Sequence, residues 1–364
     1  MLNLSVGEHL EGARNFYRFF GIAKSNEVLL IPTIEFLESD SATLEALVAA
    51  GQEIGAVVTV CAFRAQGGTH RDPPRPVEEA IFGSDLFLAM GIRQSNPITG
   101  HCRTVYRARF DYGAKQADLT GGGGVLATEW ARFPPEIIVA VARKFLAAIQ
   151  SGHSLKISDG KGTNLSVDYD PFLYSNYICG SVAACEYGHV IPGQRATFPL
   201  GVFSFLPGDE ASGVVAFDAV RGKAGRLSLP VTLTIRHNRI ANVEGDAEAD
   251  GFRRILDGSE NAGFLNRIAI GLNPKATLSR GLQHPRHGEA QRRAGVVDIG
   301  IGDRVGLVFS AGDSQTGLLL QPTVTIEGGA VIVEQGRLTL LDDPEIRTVA
   351  AKYGDPDELL RMEP

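Results

Sequence analysis

The chain has 364 residues, of which 44% are hydrophobic and 21% are charged, and its formal net charge is −7. This length and composition are enough for one or two ordinary hydrophobic cores, and two domains are expected. Because Lys and Arg form no long runs in this acidic chain, the composition argues against a nucleic-acid or anionic-membrane surface, and a small-molecule substrate or a protein partner remains.

The first 150 residues show strands alternating with helices. Short apolar runs predict strands at EVLLIPT, AVVTVCAF and DLFLAMG, and helical spacing occurs in TLEALVAAGQEIG and PVEEAIFGS. Such alternation favours a mostly parallel sheet covered by helices on both faces. We therefore predict a three-layer α/β domain over residues 1–150, ending with the helix PEIIVAVARKFLAAIQSG.

From residue 151 onward the pattern changes to short β-branched runs separated by turns. Runs of this kind include SLKIS, NLSVD, LPVTLTI and AGVVDIGIG. The strongest hairpin signal is TVTIEGGAVIVEQGRL, in which Gly328-Gly329 separates two strand-like runs. Residues 151–364 are accordingly predicted to form a strand-rich α+β domain that carries the functional cavity.

The cysteines and the hydrophobic stretches give an expectation of cellular location. Cys61, Cys102, Cys179 and Cys185 show no CxxC spacing, and the first residues lack a basic region followed by an apolar core. No segment approaches the roughly 18 consecutive apolar residues that a membrane helix needs. A reduced, cytoplasmic protein that does not enter membranes is expected.

The most polar constellation lies in QHPRHGEAQRRAGVVDIGIGD, residues 283–303. It contains His284, His287, Glu289 and Asp298. Imidazole and carboxylate groups are common ligands of transition metals, so a metal site is one interpretation. The other is general acid–base chemistry by His284 or His287, since neutral imidazole is suited to proton transfer near pH 7.

Four motifs in chain order resemble one enzyme family. They are PPRPVEEAIFGSDLFLAMG, SLKISDGKGTNLSVD, FPLGVFSFLP followed by GVVAFD, and the Gly-x-Asn-Pro turn at Gly271–Pro274. Together the motifs resemble the aminopeptidase T family, also called thermophilic metalloproteases, which is similar in fold to 2,5-dihydroxypyridine 5,6-dioxygenases. The resemblance implies an α/β amino-terminal domain, a β-rich carboxy-terminal domain and a homodimer.

The resemblance also implies metal ligands, and this chain departs from them. The family has Glu or His four residues before the Gly of the turn, where this chain has Arg267. A His-x-Asp pair of the family falls in the region of Leu318, Leu319 and Leu320, and its middle Gly-Glu is Gly201-Val202. Asp298 and Glu289 match the positions of a family His and an upstream acid.

Arg267 therefore has two interpretations. As a ligand-binding residue, it offers a planar fork of donors to a carboxylate or another small anion, with Asn273 of the turn also contacting the substrate and Asp298 orienting His284 or His287. As a structural residue, it pairs with Asp298 or Glu289 in a buried ion pair that replaces the metal.

Three classes of function stay open at this point. The first is a catabolic enzyme, hydrolytic or ring-cleaving, for a small carboxylated aromatic or heterocyclic compound, with no metal cofactor. The second is a metal-dependent aminopeptidase or Fe(II) ring-cleaving dioxygenase, with one divalent Zn, Fe, Mn or Co held by His284, His287, Glu289 and Asp298. The third is a non-catalytic relative with a binding role.

Overall fold

The computed structural model describes residues 5–64, 72–91, 102–120, 124–174, 188–258, 262–283, 288–302, 304–305, 308–309 and 315–362. The chain forms two compact units, the first made of residues 1–139 and 177–200 and the second of residues 140–176 and 201–364. The predicted fold class, α/β followed by a strand-rich part, is confirmed. The division differs from a single boundary after residue 150, because the chain returns to the first unit to add one more strand.

The first unit is built on a five-stranded parallel sheet. Its strands, in the spatial order β2-β1-β3-β4-β7, are β1 Glu27–Pro32, β2 Val57–Val60, β3 Leu86–Met90, β4 Lys115–Leu119 and β7 Arg195–Phe198. Its helices are α1 Val6–Phe20, α2 Ile34–Glu53, α3 Arg75–Phe82, α4 Arg103–Phe110, α5 Glu129–Arg132 and the start of α6 Pro135–Gln150, with a 3-10 turn at Val125–Ala127.

The sequence pattern of β1 explains why it lies inside the sheet. Val28, Leu29, Leu30 and Ile31 are each at most 2% exposed, so both faces of the strand are covered, as expected for a continuous apolar run in a parallel sheet. Helix α1 was not predicted, although Ser5 and Glu8 form a capping box at its start. This capping box precedes the first strand, so it lies outside the strand–helix alternation from which the other helices were predicted.

Lys115 joins the sheet of the first unit to the end of α1. Its side chain is buried, and its Nζ donates hydrogen bonds to the carbonyls of Phe20 at 2.7 Å and Gly21 at 3.4 Å. These carbonyls belong to the last turn of α1, where no intrahelical donor is available. Burial lowers the pKa of Lys115, because removal from water disfavours the charged ammonium form.

The second unit is built on a 13-stranded antiparallel sheet within the described ranges. Its strands are β5 Ser154–Ser158, β6 Asn164–Tyr174, β8 Val202–Pro207, β9 Ser212–Phe217, β10 Ala219–Val220, β11 Val231–Arg236, β12 Arg239–Glu244, β13 Phe264–Gly271, β14 Val297–Gly302, β17 Gln315–Leu319, β18 Thr323–Ile326, β19 Val331–Glu334 and β20 Arg337–Leu338. A separate pair is formed by β15 Arg304–Val305 and β16 Val308–Phe309. Helices lie at Asp250–Gly258, Leu278–Gly281, Pro344–Ala350 and Pro356–Leu359, and 3-10 turns at Ala247–Ala249, Ala290–Arg292 and Thr339–Asp342.

The predicted Gly328-Gly329 hairpin is confirmed. Both glycines have positive φ angles, 91° and 93°, in the turn between β18 and β19. Four neighbouring strands carry the candidate site described below. Strand β13 pairs with β8 and with β14, and β14 pairs with β17. No helix among the described residues is long and apolar enough to cross a membrane.

We expect Lys115→Met to lower the free energy of unfolding by about 1–3 kcal/mol, because the buried carbonyl of Phe20 loses its charged donor. Urea unfolding measures the change. Lys24→Met, which removes an exposed ammonium group near the end of α1, is the control and should leave stability within about 0.5 kcal/mol. Equal stability of the two variants would contradict the capping role.

Candidate functional site

Asp298 lies at the centre of three neighbouring strands. On β14 it is directly opposite Ala269 of β13 and Leu318 of β17. Side chains of directly opposed residues lie on the same face of a sheet, so these three positions share one face. Asp298 is 1% exposed. Two of the positions that the family resemblance assigns to metal ligands, Asp298 and the region of Leu318, therefore lie side by side.

Arg267 lies two residues before Ala269 on β13, and its guanidinium reaches Asp298. Its Nη2 donates a hydrogen bond to Asp298 Oδ2, and the two side chains are 16% and 2% exposed. Of the two partners that the sequence left open for Arg267, the structure selects Asp298. The Nε of Arg267 is buried and has no hydrogen-bond acceptor among the described residues.

A second guanidinium, that of Arg292, lies near this pair. Arg292 belongs to the 3-10 turn Ala290–Arg292, is buried, and donates from Nη1 to the carbonyl of Gly288 at 2.6 Å. Burial, followed by the positive charge of Arg267, lowers the pKa of Arg292 to about 10, and the charge of Asp298 acts in the opposite direction. Arg292 thus remains protonated near neutral pH.

We call Arg267, Asp298 and Arg292 the arginine cluster. It holds two guanidinium groups and one carboxylate. The role of Arg292 could not be predicted from the sequence. An arginine in a charged segment is usually exposed to solvent, and nothing in QRRAG indicates that one of its residues is buried. Tertiary contacts among the described residues place Arg292 there, since its carbonyl accepts a hydrogen bond from the N–H of Asn273.

Glu289, proposed as a candidate metal ligand, already has four hydrogen bonds within that segment. Its carboxylate accepts from the backbone N–H and the hydroxyl of Thr277, both at 3.0 Å, and from Nε and Nη2 of Arg280, both at 2.7 Å. Thr277 is the N-cap of the helix Leu278–Gly281. The contacts of Glu289 therefore hold this short helix in place.

The Gly-x-Asn-Pro turn places Arg292. Asn273 is buried, its backbone N–H donates to the carbonyl of Arg292 at 2.8 Å, and its side-chain oxygen accepts from the N–H of Lys275 at 2.9 Å. A Cβ on Gly271 would lie 2.0 Å from the carbonyl oxygen of Arg293, so the turn requires glycine there. Asn273 was predicted to bind the substrate. The contacts that the structure describes for it stabilise the turn.

An apolar cluster borders Asp298 on the other side. Leu318 and Leu320 pack with Ala219 of β10 and with apolar residues of the segment between β13 and β14. The members of this cluster are Ala219, Leu278, Leu282, Ala290, Val296, Leu318 and Leu320. Where the family resemblance implies a His-x-Asp pair, this chain therefore has part of a buried apolar core beside Asp298.

The described residues do not fit a metal ion. They contain no group of three or more His, Cys, Asp or Glu side chains arranged to hold one. An arginine stands at one of the implied ligand positions and leucines at two others. His284 and His287 lie outside the described residues, so the alternative ligand set that includes them stays a prediction.

Two solved structures share this architecture. One is a 2,5-dihydroxypyridine dioxygenase from Pseudomonas putida KT2440, with a TM-score of 0.69 and 17% identity over 94% of this chain and 99% of that one. The other is wild-type AmpT from Thermus thermophilus, with a TM-score of 0.58 and 16% identity over 92% of this chain and 100% of that one. The chain has their fold.

The fold predicted from the family resemblance is thereby confirmed. At such low identity the likeness concerns the fold, and it carries no residue roles with it. No protein-family model matches the sequence. No curated protein matches it either. The homodimer and the cytoplasmic location stay predictions.

We expect Asp298→Asn to lower the free energy of unfolding by about 3–5 kcal/mol, because it leaves the largely buried guanidinium of Arg267 without its carboxylate. Adding Arg267→Met should restore part of that loss by removing this charge. Urea unfolding of the wild type, both single variants and the double variant gives the coupling energy.

The exposed pair of Arg337 and Asp342, with side chains 49% and 61% exposed, supplies the control for this cycle. Asp342→Asn should change stability by about 0–1 kcal/mol, as is usual for exposed ion pairs. A coupling energy near zero between Arg267 and Asp298 would show that their contact contributes nothing.

Proposed function

We propose that this protein is an enzyme that acts on a small carboxylated aromatic or heterocyclic molecule, and that the arginine cluster binds the carboxylate. An enzyme is plausible because the fold is shared with a dioxygenase. The observation that carries the proposal is the buried Nε of Arg267, which has no hydrogen-bond acceptor among the described residues. A buried donor without an acceptor is unfavourable, and a ligand carboxylate would supply the acceptor.

The chemistry of arginine supports a carboxylate as the ligand group. Arg267 uses Nη2 for Asp298, and its buried Nε offers a further donor direction. A guanidinium presents its N–H groups in a planar fork that matches a carboxylate. Leu318, which lies opposite Asp298 and is buried with Leu320, gives the surroundings an apolar character that suits a ligand with a ring.

The reacting groups of this proposal are His284 and His287, as acid and base. In the sequence they come just before Gly288, whose carbonyl accepts a hydrogen bond from Arg292. Asp298 has the role of positioning Arg267. The class of bond that is cleaved, an amide or a ring bond, is left to the assay.

A non-catalytic role is the second candidate, and the ion pair itself favours it. Arg267 and Asp298 join two neighbouring strands where the family resemblance implies a metal. Such a pair would preserve the fold after the chemistry has been lost. In that case substitution of Arg267 changes stability alone, which separates the two candidates.

We expect Arg267→Met to weaken carboxylate binding at least about tenfold, since a hydrogen bond to a charged group contributes about 1.5–3 kcal/mol. Calorimetric titration with benzoate, phenylacetate and pyridine-3-carboxylate measures the affinity, and benzamide serves as the neutral ligand. Arg236→Met, at an exposed position of β11, is the control variant. Unchanged affinity in Arg267→Met, or no binding of any of these acids to the wild type, would refute the proposal.

Metal content is predicted to be well below one ion per chain in protein purified without chelator or affinity-tag metal. Carboxylate affinity should also be the same before and after dialysis against EDTA. Elemental analysis gives the content. About one Zn, Fe, Mn or Co per chain would instead favour the metalloenzyme that uses His284, His287, Glu289 and Asp298, and aminopeptidase and ring-cleavage assays would follow.

A further inference from the structure

Strand β2 forms an edge of the parallel sheet in the first unit. It pairs with β1 along one side and is the last strand of this sheet in the part of the chain that the structure describes. Val57 and Val60 are 48% and 42% exposed, and Thr59 between them is exposed as well. An exposed edge of β-branched residues is a template on which another strand can pair.

The backbone groups on the outer side of β2 belong to its even-numbered residues. The N–H groups of Val57 and Cys61 each donate to a carbonyl on the β1 side, at 2.9 Å. Because successive residues of a strand present their backbone groups to opposite sides, the N–H and C=O groups of Val58 and Val60 point away from β1. The outer side of β2 therefore offers two donors and two acceptors to a further strand.

The other terminal strands of the two main sheets are protected. β7, at the opposite edge of the parallel sheet, has buried Ala196 and Phe198. The strands that end the larger sheet, β10 and β20, are two residues long, and Arg337 of β20 is in an ion pair. Short strands and charges at an edge are common devices against strand pairing. β2 is longer and uncharged, which favours a partner strand.

We propose that β2 pairs with β2 of a second copy of this chain, antiparallel and across a two-fold axis at Thr59. The two five-stranded sheets then form one continuous sheet. Val58 lies opposite Val60 of the second copy, and Thr59 lies opposite its own equivalent. This inference is independent of the proposed function, because it uses no residue of the arginine cluster.

The backbone and the side chains of β2 both fit this arrangement. Val58 and Val60 have outward backbone groups, so the pairs they form across the axis are the hydrogen-bonded pairs of an antiparallel ladder. Thr59 is then at a non-hydrogen-bonded position, where opposite side chains come closest. Pairs of β-branched residues and Thr–Thr pairs are favourable across strands. Since Val-Thr-Val reads the same in both directions, the strand matches itself.

The charges along the edge favour a second copy as the partner. Residues 54–63 contain no charged side chain, so two chains of net charge −7 can meet here without like charges in the contact. Glu53, which is in an exposed ion pair with Arg14, precedes this neutral stretch, and the exposed Arg64 follows it. Antiparallel pairing brings the end that carries Glu53 next to the end of the second copy that carries Arg64.

Thr59→Lys tests the interface by its effect on mass. It places two ammonium groups opposite one another across the axis, and like charges in an interface are unfavourable. We expect the wild type to sediment as an even multiple of 38.9 kDa. Thr59→Lys should show half the wild-type mass, with a dissociation constant at least about tenfold higher. Thr59→Ser, which adds no charge, is the control.

A second contact elsewhere in the chain would make the wild type larger than a dimer, and Thr59→Lys would still halve its mass. A wild type of 38.9 kDa would contradict the proposal. A mass that Thr59→Lys leaves unchanged would contradict it equally.

Mixing oppositely charged variants distinguishes loss of the interface from misfolding. Thr59→Glu should dissociate as Thr59→Lys does. An equimolar mixture of the two should regain the wild-type mass, because a lysine then lies opposite a glutamate. A misfolded variant is not restored by mixing, so failure of the mixture to associate would overturn the assignment of this edge.

A disulfide across the axis tests the register. Opposite residues at a non-hydrogen-bonded position have Cα atoms about 4.5 Å apart, a separation that a disulfide spans. In a Cys61→Ser background, which removes the neighbouring thiol, Thr59→Cys should give a covalent dimer after treatment with oxidised glutathione. A non-reducing gel detects the dimer.

Two cysteine variants in the same background are the controls for the cross-link. Val60→Cys places equivalent thiols on a diagonal, with Cα atoms about 7–8 Å apart, which is too far for a disulfide. Val331→Cys, at a 41% exposed position of the inner strand β19, reports random collisions. Cross-linking of Thr59→Cys no greater than that of either control would refute the proposed pairing.

Discussion

The ion pair between Arg267 and Asp298 is the interaction on which the candidate site depends. It lies between neighbouring strands, with both side chains largely removed from water. An ion pair in such surroundings is stable only when its geometry and its other hydrogen bonds are good. The neighbouring residues allow this geometry. Gly300 has no side chain that would crowd Arg267, and Leu318 brings no competing charge next to Asp298.

Described residues between β13 and β14 also contribute to the candidate site. The Gly271–Pro274 turn, the helix Leu278–Gly281 and the turn at Ala290–Arg292 are held to one another by Asn273 and Glu289. These contacts explain why Arg292, an arginine in a charged stretch, becomes buried near a second arginine. The polar residues of the segment thus serve to shape it.

A fold can be kept while the side chains at one place differ. The structure is similar to that of a dioxygenase and to that of AmpT, yet the corresponding face of its sheet has an arginine, an aspartate and leucines. Backbone pairing in a sheet does not depend on which side chains project from it, provided that they pack. A site can therefore change from one type of ligand to another without loss of the scaffold.

Most of the elements could be predicted from the sequence, because strand and helix patterns are local. The apolar run of β1 and the Gly328-Gly329 hairpin are examples, whereas α1 and the return of the chain through β7 were missed. The return was not predictable from residue types, since four residues such as Arg195–Phe198 contain no signal for the sheet they will join. Sheet membership depends on packing over long distances along the chain.

The sequence by itself determined the fold class, the acidic character and the presence of an arginine where a ligand was expected. Tertiary structure decided which carboxylate Arg267 contacts and the burial of Arg292. Arg267 and Asp298 are 31 residues apart, and their contact follows from strand register. Register is set by the burial of whole strands and by the bulge of one residue before Arg267 in β13, neither of which is visible in the residues that it brings together.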